Sequence, residues 1–226
     1  MLRIATILLA STIVLPGMAQ AAGPFHLMMT DAKIGVLPEG WTAAKTGEGP
    51  GSVWKVQADA SVPGGKVLAQ TSADGPKRLF NLCVADKPKF RDVDISVAFK
   101  ANAGKIDQGG GVVWRYKDAK NYYVARINPL EPNYRLYKVV DGKRTKVATA
   151  ELKVPAGRWH VLHVVQQGNH IQCFFGNKKY LDVKDDTFPD AGKIGVWTKA
   201  DAQTSFTALK AEEKPAKERK QGSAKE

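Results

Sequence analysis

The sequence is poor in the residues that usually announce chemistry. Of 226 residues, two are cysteine and four are histidine. His160 and His163 are three apart on a strand-like run, so they face opposite sides and cannot share a zinc ion. His26 and His170 have no neighbour at ligand spacing. No Ser-His-Asp constellation is legible. The glycines at 109–111 precede a strand rather than a helix, which excludes a phosphate-cradling loop. No run has the Glu-x-Asp-x-Glu spacing that sets a paired acid and nucleophile on one strand face. Beyond the N-terminal segment no apolar run is long enough to span a bilayer, so stable membrane insertion is not expected. There is no internal repeat and no long helical period. Acidic residues are also few, 22 against 34 lysines and arginines, for a net charge of +12. That balance favours acidic partners such as anionic glycans. The charge comes without a basic, aromatic-spaced motif, so nucleic acid is not expected.

The chain divides into three parts. Residues 1–21 hold Arg3, the apolar run IATILLASTIVLPGM and an Ala19-Gln20-Ala21 cleavage site, the pattern of a signal peptide. No cysteine follows that site to take a lipid. The expected location is periplasmic or secreted. Residues 22–209 suit one all-β domain, and a monomer is expected. Residues 210–226 (KAEEKPAKERKQGSAKE) are charged and nearly free of apolar side chains, so a disordered tail is expected there.

What is present is a series of short strands with turn residues between them, the signature of a sandwich or barrel. In VDISVAFK, Val93, Ile95, Val97 and Phe99 fall on one face, with Asp94 and Ser96 on the other. In RWHVLHVV, Trp159, Val161 and His163 alternate with His160, Leu162 and Val164. Asp141-Gly142, between Val140 and Lys143, is the pair a type I′ hairpin turn prefers. A second hairpin joins 111–116 to 122–128 through KDAKN. Pairing Tyr116 with Tyr122 sets Arg115 beside Tyr123 and Trp114 beside Val124. Between the hairpins lies the rigid loop NPLEPN, with Asn128, Glu131 and Asn133. A short helical turn is expected within 182–190.

Glu131 is the best single carboxylate candidate for a catalytic base. Asp94, two residues from Asp92 on one strand face, is the second. Arg115, Tyr123 and Arg126, with Asn128 and Asn133, are candidate ligand-binding donors, since an arginine fork holds hydroxyls or acidic substituents. On parity, Arg115 and Tyr123 share one face, and Arg126 shares the other with Trp114 and Tyr122. Only one face can line a groove. Trp197, Trp114 and Tyr137 are either stacking platforms for sugar rings or core aromatics. Lys199 and Asp201 close the groove or only form a turn. No cofactor is expected. Calcium on Asp185, Asp186 and Asp190 is the sole metal candidate, and these residues match no defined loop. Cys83 and Cys173 are either one long-range disulfide or two small buried side chains.

Three stretches carry a resemblance: FNLCVADKPKFRDVDISVAFK (80–100), the run from GGGVVWRYKDAKNYY through NPLEPN to VVDGKRT (109–145), and GRWHVLHVVQQGNHIQCFFGNKKYLDV through KIGVWTKADAQTSF (157–206). Their order resembles the concanavalin A-like and laminin-G-like jelly rolls. The match is nearest to the bacterial 3-keto-disaccharide hydrolase-like group, also described as family 16 glycoside hydrolase-like. The resemblance implies two packed antiparallel sheets with a concave face that takes sugar. Relatives often end this motif in Phe-Asp-Asp. Here it is Phe206-Thr207-Ala208, which puts any cation role of those acids in doubt.

Two readings follow. In the first, the protein is an exported module that binds a carbohydrate, such as an acidic glycan, without catalysis. In the second, it is an enzyme acting on glycosides or 3-keto-disaccharides by hydrolysis or elimination. A 3-keto sugar has an acidified C–H beside its carbonyl, so one base (Glu131 or Asp94) and one enolate stabiliser (Arg115 or Arg126) would suffice.

Overall fold

The computed structural model describes residues 23–27, 29 and 31–215. The proposed signal segment and residues 216–226 lie outside the described residues. Among the described residues there is no helix, and hence none long and apolar enough to cross a membrane. Fifteen strands, β1 to β15 in chain order, form two antiparallel sheets. The first sheet takes β13 (Lys178–Lys184), β12 (His170–Phe175), β11 (Trp159–Gln167), β6 (Val93–Ala103), β15 (Gln203–Glu213), β4 (Lys66–Gln70) and β3 (Trp54–Ala58) in that order, with β1 (Phe25–His26) paired to β15. The second takes β10 (Lys143–Glu151), β9 (Asn133–Val140), β8 (Asn121–Asn128), β7 (Gly110–Asp118), β14 (Gly192–Lys199), β5 (Phe80–Phe90) and β2 (Trp41–Thr46).

The alternation legible in the sequence drives this packing. Val93, Ile95, Val97 and Phe99 are fully buried from the first sheet, as are Leu162 and Val164 beside them. They meet Val112, Trp114, Tyr123, Ala125, Ile194 and Val196 of the second sheet in one continuous core. Each such aliphatic side chain contributes on the order of 1.5–3 kcal/mol on burial. Cys83 and Cys173 are free and buried in this core, so the disulfide alternative is excluded. Burial pushes the Cys173 thiol up to about 12 and the Cys83 thiol higher still.

Three expectations are corrected. The chain from 185 to 191 forms no helical turn; it is bent and irregular. β15 runs through Glu213, so the boundary expected at Lys210 falls inside a strand that pairs Lys210 with Ser96 and Glu213 with Val93. The β7–β8 register is one residue off the expected pairing: Trp114 lies opposite Tyr123 and Val113 opposite Val124. The cause is the turn: Asp118 pairs with Asn121, so the hairpin closes through residues 119–120 rather than through five residues, and a bulge between Trp114 and Asp118 then adds two residues to β7. Arg115 sits in it with φ +44°, a conformation that costs a non-glycine residue about 1 kcal/mol. Closing the turn one residue off the expected register moves every side chain to the other face, and the two-residue bulge leaves that parity unchanged. Trp114 and Tyr123 therefore stack together in the core, with ring centroids 5.5 Å apart. The Asp141-Gly142 turn is as expected. Val140 pairs with Lys143, and both turn residues have positive φ, +48° and +81°.

The second sheet is strongly curved. Arg144 on β10 and Phe80 on β5 are five strand steps apart, about 24 Å in a flat sheet. Yet the Arg144 guanidinium carbon lies 4.7 Å from the Phe80 ring centroid. The face turned away from the core is thus concave, and side chains from opposite edges meet across it.

Candidate functional site

A second cluster of buried side chains fills this concave face. It includes Phe80, Leu82, Val113, Tyr122, Val124, Tyr137 and Trp197. Cross-strand register places its members. One row runs Leu82, Trp197, Gly111, Arg126, Arg135. The next holds Gly195, Val113, Val124 and Tyr137. At the other border of the first row, β14 ends in Lys199 and β8 in Asn128, opposite Asn133. Gly111 is required there. A Cβ at that position would lie 2.3 Å from the Ala125 carbonyl oxygen and 2.8 Å from Arg126 Cβ. The strands approach too closely for any side chain.

Charged groups gather over this floor. Arg126, 1% exposed, donates from Nη2 to Glu131 Oε2 at 2.8 Å. Arg135 Nη1 donates to the same oxygen at 3.0 Å and Asn133 Nδ2 at 3.3 Å. The NPLEPN loop is built to hold that carboxylate. Asn128 Oδ1 accepts from the backbone N–H groups of Leu130 and Glu131, at 2.8 and 3.0 Å. Asn128 Nδ2 donates to Asp107 Oδ1 at 3.0 Å, and Lys199 Nζ donates to Asp107 Oδ2 at 2.6 Å. Arg144 reaches in from the edge strand and lies 4.3 Å from the Tyr137 ring centroid and 5.9 Å from that of Trp197.

Environment sets the two carboxylates apart. Burial raises the Glu131 carboxyl, but the hydrogen bond and charge of Arg126 more than reverse this and hold it at about 2. Burial raises Asp107 as well, and there Arg126 and Lys199 only partly counteract it, so its carboxyl stays above the usual range. Tyr137 is raised by burial and lowered by Arg126, Arg135 and Arg144, with a net downward shift.

The sequence-predicted residues divide accordingly. Arg126, Glu131, Asn128, Asn133, Trp197 and Lys199 are brought together on the concave face. Trp197 is 1% exposed and lies beneath Arg144, so no ring face is free for stacking. Asp201 acts on the backbone. Its carboxylate accepts from the N–H groups of Lys105, Ile106 and Asp107, at 2.6 to 3.1 Å, and fixes the loop that presents Asp107. Arg115, Tyr123 and Asp94 lie elsewhere. Arg115 donates to the carbonyls of Arg91, Phe188 and Gly168 and to Asp92. Tyr123 OH donates to Asp185 Oδ1 at 2.6 Å from the core side. Asp94, on the first sheet, accepts from His163 at 2.6 Å and Lys214 at 2.8 Å. Asp185 is occupied by Tyr123, Lys138 and the Thr187 N–H. Among the described residues no group of three or more acidic, histidine or cysteine side chains converges to hold a metal.

Sequence reasoning missed Asp107, Arg135, Arg144 and Phe80. Arg135 was within reach, since parity on β9 sets it on the face of Tyr137. Arg144 and Phe80 meet only because the sheet curls. A cleft of about 610 Å³ is lined by residues 31–33 and 36–39 and includes no member of this cluster.

Two seven-to-eight-stranded antiparallel sheets with a curved, polar-lined outer face define a concanavalin A-like jelly roll. Comparison with solved structures agrees on the fold. Carbohydrate-binding module CBM66 from Bacillus subtilis is 18% identical with a TM-score of 0.61, covering 76% of this chain and 95% of that one. The exoplasmic/lumenal domain of VIP36, in a Ca²⁺/Man3GlcNAc-bound form, is 12% identical with a TM-score of 0.54, covering 80% and 86%. A Bacillus subtilis protein of unknown function with a galectin-like fold is 11% identical with a TM-score of 0.52, covering 76% and 88%. A search of curated proteins found no match. The family model for the 3-keto-alpha-glucoside-1,2-lyase-like domain matches residues 31–219, and the chain belongs to that family.

Proposed function

We propose that the protein is an exported, monomeric carbohydrate-binding jelly roll whose ligand sits on the concave face, anchored by Arg126 with Glu131, Asn128, Asn133 and Lys199 around it. One observation carries the reading. Arg126 is buried, and its Nε and Nη1 atoms have no hydrogen-bond partner. Buried donors left unmade cost about 1–3 kcal/mol each, and a sugar's oxygens are the acceptors that would satisfy them. The fold's likeness to a carbohydrate-binding module and the family's name favour the same ligand class. Saturation-transfer NMR with pooled oligosaccharides tests this. Transfer to a sugar, lost in Arg126→Gln, is the expected result; no transfer to any sugar overturns it. Export is tested separately, by the mass of the protein's N-terminus after expression in a bacterium.

A second reading is favoured by the family match and by the opposed environments of Asp107 and Glu131. Here the ligand is a 3-keto glycoside and the reaction an elimination. A base takes the proton beside the carbonyl and the C–H pair moves onto the carbonyl oxygen; that pair then returns to form a C=C bond as the adjacent glycosidic C–O bond breaks, and the leaving oxygen takes up a proton. Glu131, held near 2, is a weak base. Asp107, whose carboxyl stays above the usual range, is the stronger base of the two once Lys199 gives way, and Arg126 would stabilise the oxyanion. Asp94 is on the other sheet and takes no part. Time-resolved proton NMR with a 3-keto glucoside would show the anomeric signal lost to an enone. Retention of that conversion in Asp107→Asn removes this assignment.

A further inference from the structure

We infer that the sugar bound on the concave face carries an anionic group, a carboxylate or a sulfate, seated on Arg126 and Arg144 beside the ring of Tyr137. This rests on the carbohydrate reading above.

The charges on the face do not balance. Arg126, Arg135, Arg144 and Lys199 bring four positive charges, and Glu131 and Asp107 bring two negative ones. Arg126 and Arg135 share Glu131, and Lys199 takes Asp107. Among the described residues no carboxylate forms an ion pair with Arg144; it is held against aromatic rings alone. The unmet donors fall where the charge is in excess. Arg126 Nε and Nη1, and Arg144 Nη1, are buried without partners. The two guanidiniums flank one ring. Their central carbons lie 5.9 and 4.3 Å from the Tyr137 centroid, so both stand against the same ring, which is where a shared ligand group would sit.

A neutral sugar would satisfy some of these donors but leave the unpaired charge of Arg144 and the face's excess positive charge unanswered. An anion answers both, because guanidinium forks match the oxygens of a carboxylate or sulfate. The lowered phenol of Tyr137 reports the same uncompensated field from a third direction. Phe80 and Trp197 continue from this point along the groove floor, 5.5 Å apart.

Calorimetric titration of the whole protein with three oligosaccharides of one linkage decides the matter: neutral, uronate-containing and sulfated. At least one anionic form should bind about 30-fold or more tighter than the neutral one, with the advantage shrinking as salt is raised. The tighter of the two anionic arms identifies the source of the charge. Arg144→Gln should bring the ratio of anionic to neutral affinity close to one, and Arg144→Lys should restore part of the preference. Thermal melts of both variants establish that they are folded, and either one alone suffices for the comparison. Equal affinity for neutral and anionic forms overturns this inference and leaves the carbohydrate reading standing. Binding of none of the three overturns both.

Discussion

Glu131→Gln separates two roles that the sequence cannot distinguish, a catalytic base and an anchor for arginines. The wild-type carboxyl lies at about 2 against an ordinary 4.5. Fully shielded, that difference corresponds to ~3.4 kcal/mol of stability. The side chain is 39% exposed, so solvent screening cuts the figure to ~1.5 kcal/mol. The folded value lies below the unfolded one. This stability is therefore present above about pH 4.5 and is lost as the pH falls through about 2. Glutamine keeps an acceptor oxygen for Arg126 but has no charge to lose. The variant should melt about 3–6 °C below wild type near pH 7. The gap should close progressively between about pH 4.5 and 2. Paired circular-dichroism melts of the two proteins across that range separate Glu131 from the carboxylates distant from it, while Asp107, which burial and the Glu131 charge both raise, shifts along with it. A gap that stays constant with pH refutes the arginine-anchor account.

Gly111→Ala should destabilise the protein by about 3 kcal/mol or more, because the added Cβ meets the Ala125 carbonyl at 2.3 Å and backbone must move; urea unfolding measures this, and a loss below about 1 kcal/mol would show that the strands can part. Asp201→Ala should free the amides of Lys105, Ile106 and Asp107, which it now accepts, so their hydrogen exchange should accelerate at least tenfold while that of Val97 does not change. Cys83 and Cys173 are buried, unpaired thiols with raised pKa values, so a thiol reagent should label neither in the native protein and both in denaturant without prior reduction. Labelling of only reduced, denatured protein would mean that a disulfide had formed.

The signals that read correctly were local ones. The Asp141-Gly142 turn follows from the backbone freedom of those two residues. The inward face of β6 follows from period-two alternation in eight consecutive residues. The register of the first hairpin failed for an equally local reason: KDAKN closes as a two-residue turn with Asp118 opposite Asn121, not as a five-residue loop. Its effect was to exchange faces: Trp114 went to the core with Tyr123, and Arg126 stayed on the concave face without it.

Alternation, turn chemistry and charge balance thus determined from sequence alone that the chain is an all-β sandwich or barrel with a rigid NPLEPN loop carrying Glu131 and an excess of positive charge, while the two-sheet jelly roll was what the resemblance implied. Each of these depends on neighbours a few residues apart. Tertiary structure alone decided which carboxylates and arginines form one site. Phe80, Asp107, Arg126 and Arg144 come from β5, the loop before β7, β8 and β10, and they converge because the second sheet curls. Curvature is a property of all seven strands together, and no spacing along the chain records it.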